Sequence, residues 1–236
     1  MQLSYDLHVH SCLSPCGDDN MMPSNIVGLA VLGGLDVIAV TDHNSCRNCP
    51  AVMKLADAYG IVAIPGMELT TAEEVHVLCL FENLVDALKF DEYVYERLPP
   101  FPNNEEVFGK QQIVNEDDEI IGTIPNLLIN ATTIGFDDVY DAVSQFNGIM
   151  IPAHIDKSST SLFSNLGFIP PDSKFTCVEV KHIGFMDKYI EQHPYLKKCK
   201  IINDSDAHYL EHIHEPKNFI EAKSKSLHDI FKTLKN

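Results

Sequence analysis

His8 and His10 stand two residues apart in residues 3–10, an apolar-flanked stretch that reads as a strand. Side chains alternate between the faces of a strand, so both imidazoles project the same way. Two neutral imidazoles side by side make a pair of metal ligands. The same pair also suits a polar strand face. Related clusters recur down the chain: Asp42 and His43, Glu68, His76, His154, then Asp206 and His208, which repeat the two-residue spacing. Imidazole and carboxylate are the donors found around Zn, Mn, Fe and Mg, so the repetition points to a site for several ions. Individual residues have other uses: Asp42 as a helix cap or as a partner of His10 or His208, Glu68 as a surface acid. His193, His212, His214 and His228 read as solvated.

These residues need a frame. β-branched and apolar runs predict strands at 3–10, 36–41, 61–65, 75–81, 149–153, 176–181 and 200–204, with a short one at 219–222. Helical patterns lie between them at 23–32, 50–59, 84–97, 137–146 and 227–234. Three prolines, Pro99, Pro100 and Pro102, mark a loop, and the acidic stretch 105–119 beyond them reads as a polar helix, solvated or serving as a lid or an oligomer contact. Strand and helix alternation predicts an α/β fold with parallel strands. On this frame His8, His10, Asp42, His43, Glu68, His154, Asp206 and His208 fall at or just past the C-terminal ends of strands, where barrel-type α/β folds build active sites.

The chain of 236 residues suffices for one large domain spanning 1–236. It has no apolar run long enough to cross a bilayer, and no basic segment followed by an apolar one, so neither a membrane partner nor a secretion signal is expected. The formal charge of -17 argues against long duplex nucleic acid and favours small substrates. Seven cysteines without a secretion signal point to a reducing, cytoplasmic compartment. Cys12 and Cys16 follow the first ligand pair, and Cys46 and Cys49 follow Asp42 and His43. Those four either bind a structural zinc or an iron–sulfur cluster, form a redox-sensitive disulfide, or are packed thiols.

The runs Asp6-Leu7-His8-Val9-His10-Ser11, Thr41-Asp42-His43-Asn44, Gly66-Met67-Glu68-Leu69-Thr70, His76-Val77-Leu78, Pro152-Ala153-His154-Ile155-Asp156 and Asp204-Ser205-Asp206-Ala207-His208 resemble, in order, the PHP (polymerase and histidinol phosphatase) family. The resemblance covers nearly the whole chain. It implies a distorted (β/α)7 TIM-like barrel with a trinuclear metal centre at the strand ends, and hydrolysis of phosphoesters. Mapped onto this chain, it implies one ion held by His8, His10, Glu68 and Asp206. Glu68 bridges to a second ion on His76 and His154. A third lies on His43, His208 and a residue of the loop 14–20. That loop offers acids, and counting back from Pro23 selects Asp18, with Asp19 in reserve.

Two to three divalent ions in such a site would lower the pKa of bound water, giving a hydroxide to attack phosphorus, and would neutralise the phosphate oxygens. Asp42, Glu68 and His208 are the expected catalytic residues, Asp42 as a proton relay beside His43. Phosphate needs cationic partners, and the chain has only two arginines, Arg47 and Arg97. Arg47, Lys157 and Ser158 are the expected substrate contacts, with His182 a further candidate. The expected partner is a small phosphorylated molecule, either a phosphomonoester or the end of a short nucleotide. A metal-dependent amidohydrolase and a regulatory module that keeps its metal for stability are the alternatives. The oligomeric state is not legible.

Overall fold

The computed structural model describes residues 1–213 and 215–235; His214 lies outside them. The first strand, β1 (Gln2–Val9), pairs in parallel with β2 (Val37–Val40), which pairs in parallel with β3 (Val62–Ala63). Helices α1 (Pro23–Gly33) and α2 (Cys49–Tyr59) make the crossovers. A second sheet is antiparallel: β4 (Gly66–Thr70), β5 (His76–Leu80) and β8 (Ile149–Pro152). Between its second and third strands run α3 (Leu84–Tyr95), a single helical turn α4 (Glu105–Phe108), the hairpin β6 (Gln112–Val114) and β7 (Ile120–Thr123), and α5 (Phe136–Gln145). The chain continues through β9 (Cys177–Glu179), α6 (Met186–Gln192) and β10 (Lys200–Ile202), β9 and β10 pairing in parallel. It closes with β11 (Phe219–Glu221), antiparallel to β1, and α7 (Leu227–Lys235).

The α/β class is as expected. The sheets are small, however, and none closes into a barrel. They meet through isolated backbone contacts, His43 with Glu68 and Val9 with Ala207, and through the Ile155 N–H donated to the Glu179 carbonyl.

Side-chain parity explains how these strands serve one site. Leu78 and Leu80 of β5, Ile149 and Ile151 of β8, and Cys177 of β9 share a core with Leu3, Tyr5 and Leu7 of β1. On the other faces, Val77 and Cys79 pack with Phe90 of α3 and Val139 of α5. Val9 packs instead with Ile26 and Val27 of α1 and Val52 of α2. The inner face of β1 therefore passes from odd to even residues near its end. A register slip between Asp6 and Val9 makes this possible, as β-bulges beside sites do by re-aiming side chains. His8 is thereby brought inward. His76 shares the face of Leu78, and Glu179 the face of Cys177.

Two expectations are corrected. Residues 105–119 are not a continuous helix. Past the turn of α4, Gln112 and Val114 are buried, and their N–H groups are given to the Cys12 carbonyl and to Asn48 Oδ1. Asn115 Oδ1 accepts from the N–H groups of Asp117 and Glu119, turning the chain into β7. Glu68 is not at a strand end. Pro65 separates β3 from β4, and Glu68 lies mid-way along the latter.

Gly66 opens β4 where its backbone meets β5. A Cβ there would lie 2.6 Å from both the Cys79 carbonyl oxygen and Leu80 Cδ2. Gly66→Ala is expected to cost about 1–3 kcal/mol by overpacking, read as a lower urea midpoint at unchanged slope.

Candidate metal centre

Glu68 is the hub. Its Oε1 lies 3.2 Å from His8 Nε2, 2.9 Å from His76 Nδ1 and 3.1 Å from His154 Nε2. Its Oε2 lies 3.1 Å from His43 Nδ1 and 3.4 Å from His10 Nε2. Asp206 Oδ1 approaches His8 Nε2 at 3.4 Å and His10 Nε2 at 3.5 Å. The His208 ring stacks on His10 with centroids 4.2 Å apart. His8, His10, His43, Glu68, His76, His154, Asp206 and His208 thus come together from six separate stretches of chain.

Local backbone sets these side chains. His154 and Asp206 have φ of 27° and 56°, a left-handed conformation that non-glycine residues adopt at a cost. Asn44, just after His43, has φ of 50°. Its amide is tied on both sides: Nδ2 donates to the Leu128 and Asn130 carbonyls, and Oδ1 accepts from the Thr70 N–H.

Further polar residues hold the imidazoles. Glu179 Oε2 lies 2.9 Å from His8 Nδ1 and accepts the His154 N–H at 2.9 Å. The His8 Nδ1 proton is given to Glu179, so Nε2 faces Glu68. Ser14 Oγ donates to Asp42 Oδ1 at 2.7 Å and lies 2.9 Å from His10 Nδ1, which turns Nε2 of His10 inward by the same logic. Glu179 and Ser14 escaped the sequence reading. Glu179 ends a strand facing the same way as the ligands, which is the signal that could have found it. Ser14 lies in an irregular loop with no such signal.

Other expected residues sit elsewhere. Asp42 is buried on the Ser11 N–H and hydroxyl and on Ser14, so it reaches His10 only through Ser14. Asp18 does not join the donors. Its Oδ1 accepts from the Asn20 N–H and side-chain amide, and Asp19 is exposed. Cys16 takes that place, grouped with His10, His43 and His208. Arg47 is held away: its Nε donates to Asp91 Oδ2 at 3.0 Å and its guanidinium lies over Tyr95. His182 is half exposed and paired with Asp156 at 2.8 Å. Lys157 does reach the cluster, 2.8 Å from Asp206 Oδ2, while Ser158 is exposed beside it. No four-cysteine site forms among the described residues. All seven cysteines are free, and Cys46 and Cys49 are packed in the core.

The electrostatics follow from carboxylates buried among imidazoles. Burial opposes charge on Glu68, yet His76, His8 and His43 hold its pKa well below the usual range. Asp206 is likewise lowered against its burial by His8 and His10. Burial pushes the His10 imidazolium down, but hydrogen bonds to Asp206 and Glu68 outweigh it and lift its pKa to about 9. His8 is raised well above its ordinary value against burial by Glu179, Glu68 and Asp206. Burial lowers His43 strongly, and burial with the neighbouring His10 lowers His208 to about 4. Burial and the charges of Glu68, Asp206 and Asp42 raise the Cys16 thiol.

Divalent cations fit this donor set. Four overlapping groups have ligand atoms within 4.8 Å of one another: His8, His10 and Asp206; His8, Glu68 and His154; His43, Glu68 and His76; and His10, Cys16, His43 and His208. The Nδ1 atoms of His43 and His154 are buried without a hydrogen-bond partner. Buried polar atoms are normally satisfied, so orphaned nitrogens among carboxylates mark a place for a cation.

A model of the PHP domain matches residues 6–224. The chain belongs to the PHP domain family. An uncharacterized protein of Methanocaldococcus jannaschii is 33% identical over 98 residues, covering 38% of this chain and 57% of that protein. The lesion-specific endonuclease PfuEndoQ from Pyrococcus furiosus matches with a TM-score of 0.73 at 21% identity, covering 100% of this chain and 56% of that one. Endonuclease Q in complex with a 27-mer duplex, an abasic lesion at its active site, gives 0.68 at 20% identity over 100% of this chain and 57% of that chain. A two-domain protein from Bacteroides vulgatus, containing a predicted PHP-like metal-dependent phosphoesterase, gives 0.60 at 19% identity over 100% of this chain and 63% of that chain. These identities show a shared fold, and this PHP domain spans little more than half the length of those relatives.

The exclusion of long duplex nucleic acid does not stand. Endonuclease Q, which shares this fold, is found in complex with a 27-mer duplex that has an abasic lesion at the active site. Net charge sums over the whole surface and does not decide what one face admits. The expectation of no membrane partner has a narrower counterpart: among the described residues no helix is long and apolar enough to cross a membrane.

The pKa shifts set a pH test. His10 binds its proton more tightly folded, at about 9, than unfolded, near 6.5. Its contribution to stability is complete below about pH 6.5 and is lost as pH rises through about 9. Melting of the chelator-treated protein should therefore fall from about pH 6.5 to about pH 10. Divalent ions displace that proton, so the metal-loaded protein should lack this fall. Glu179→Gln should weaken metal affinity about 10–100-fold in competition with a chelator, through loss of the His8 tether.

Proposed function

We propose that residues 1–236 act as one metal-dependent phosphoester hydrolase of the PHP family. The substrate class is a small phosphomonoester, or the terminal phosphate or phosphodiester of a nucleotide. One observation carries this reading: Glu68 lies within 3.4 Å of five imidazoles, with Asp206 and a lysine at the same centre. A buried polyimidazole–carboxylate cluster with a cation at its rim suits phosphate better than a neutral carbonyl.

Two to three divalent ions would be held, His8, His10 and Asp206 forming one end and His76 and His154 the other, with Glu68 between them. When bound, such ions neutralise phosphate oxygens and acidify water. The chain's own residues do the rest. Glu179 and Ser14 fix His8 and His10 with their Nε2 atoms toward the centre. Asp42, buried behind Ser14, keeps that hydroxyl's proton pointing away from His10. Lys157, one-third exposed beside Asp206, is placed to pair with a phosphate oxygen. Seven free cysteines support a reducing, cytoplasmic setting. A distorted barrel would describe the ring in which the small sheets meet.

The test is metal content together with product release from an aryl phosphate, histidinol phosphate, a nucleoside bisphosphate, a short oligonucleotide and a duplex with an abasic site. His8→Ala and Asp206→Ala should lose metal and at least about 10²-fold in turnover. Lys157→Ala should keep its metal and raise KM about tenfold. A fully loaded protein that cleaves none of these esters would overturn the proposal.

A further inference from the structure

Cys16 is the residue whose position the sequence did not foretell. It sits in the loop after β1, which doubles back on itself. The Ser14 N–H is given to the Ser11 carbonyl at 3.1 Å and the Gly17 N–H to the Ser14 carbonyl at 2.9 Å. A Cβ on Gly17 would lie 2.3 Å from the Ser11 carbonyl oxygen, so only glycine permits this approach. The Asp18 N–H then bonds to the His208 carbonyl at 3.0 Å, clamping the loop to the segment past β10 that carries His208. The hairpin of β6 and β7 holds the loop from outside, through the Gln112 N–H on the Cys12 carbonyl.

Within that frame Sγ of Cys16 and ring nitrogens of His10, His43 and His208 all lie within 4.8 Å of one another. His43 Nδ1 lies on the Glu68 side of this group, 3.1 Å from Oε2. His208 Nδ1 lies 2.8 Å from the Asp206 carbonyl, which fixes the lone pair on Nε2. Among the described residues no other cysteine joins a donor group. Cys12 Sγ is packed on Met22 Sδ and the Gln112 carbonyl, and Cys49 Sγ on the Val40 and Gly66 carbonyls. Imidazole nitrogen and thiolate sulfur are the donors from which zinc builds its four-coordinate sites.

We propose that Cys16 is a metal ligand, giving a thiolate to an ion shared with His43 and His208, beside the ion that His10 holds. The thiol proton leaves to solvent as the metal–sulfur bond forms. Sulfur is a soft donor, so this position favours Zn²⁺, Fe²⁺ or Co²⁺ over Mg²⁺, unlike an aspartate in its place. The inference rests on the metal centre of the proposed hydrolase but not on its turnover.

The full chain, stripped with chelator and reloaded with Co²⁺, should show thiolate-to-cobalt charge-transfer absorption in the near ultraviolet. Cys16→Ser should lose this band and bind one ion fewer per chain. Cys12→Ser should keep both, and Cys16→His should restore the ion without the band. Zn²⁺ should also protect Cys16 of the wild-type chain from alkylation, read by mass spectrometry, which needs no variant to fold. A band that survives in Cys16→Ser, or equal alkylation of Cys16 with and without Zn²⁺, would overturn the assignment. Loss of the ion in Asp18→Ala with the band absent from wild type would return the position to the acid. A protein that shows the band but cleaves no phosphoester would refute the hydrolase reading and leave this ligand in place.

Discussion

One carboxylate governs this structure. Glu68 is 1% exposed and is ringed by His8, His10, His43, His76 and His154. A buried unpaired carboxylate costs several kcal/mol, so Glu68 can be tolerated only beside protonated imidazoles or metal ions. The two are alternatives. The protons that lift His8 and His10 compensate the acids when cations are absent, and cations take their place when present. The departure from regular α/β winding serves the same residue. By running β4 antiparallel to β5, the chain puts Glu68 and His76 on neighbouring strands, with their side chains meeting at 2.9 Å.

The supports of this centre are themselves costly. His154, Asp206 and Asn44 all occupy left-handed backbone, at about 1–3 kcal/mol each. Such conformations persist where surrounding bonds fix them. The Asn44 amide does so through three bonds, and Glu179 does so for the His154 N–H. Glu179 links strain to chemistry, since the same oxygen orients His8. Beneath it Asp204 is buried, its pKa driven well above the usual range by burial and by Glu179 and Asp6. Asp204 accepts the Leu7 N–H there, and burial beside Glu179 and Asp6 favours its protonated form.

Much of this was legible in the sequence. Strand periodicity located β1, β2, β5 and β8 to within about two residues, and eight of the expected ligands converge. What escaped has physical reasons. The period of a strand says nothing about a register slip, so the parity change that turns His8 inward is visible only in the folded chain. Charge density made residues 105–119 look helical, but the Asn115 side chain and two buried positions in β6 favour a hairpin. Counting back from Pro23 selected Asp18, and a count along the chain carries no information about turns within the loop. Two successive tight turns at Ser11–Gly17 consume length and rotate the next side chain, so Cys16 faces the imidazoles while Asp18 turns to Asn20.

Net charge misled for a related reason. A formal sum of -17 treats every acid as if it faced solvent. Asp6, Asp42, Glu68, Asp91, Glu179 and Asp204 are buried. Glu68 and Glu179 face imidazoles, Asp91 faces Arg47, and burial shifts Asp204 toward its protonated form. These groups project little field beyond the centre, and divalent ions bound there would reverse what remains. At the rim stand Lys157, on Asp206, and Lys181, whose Nζ donates to the Ser205 carbonyl. The potential that a polyanion meets is therefore set by the face around the centre rather than by the composition of the chain.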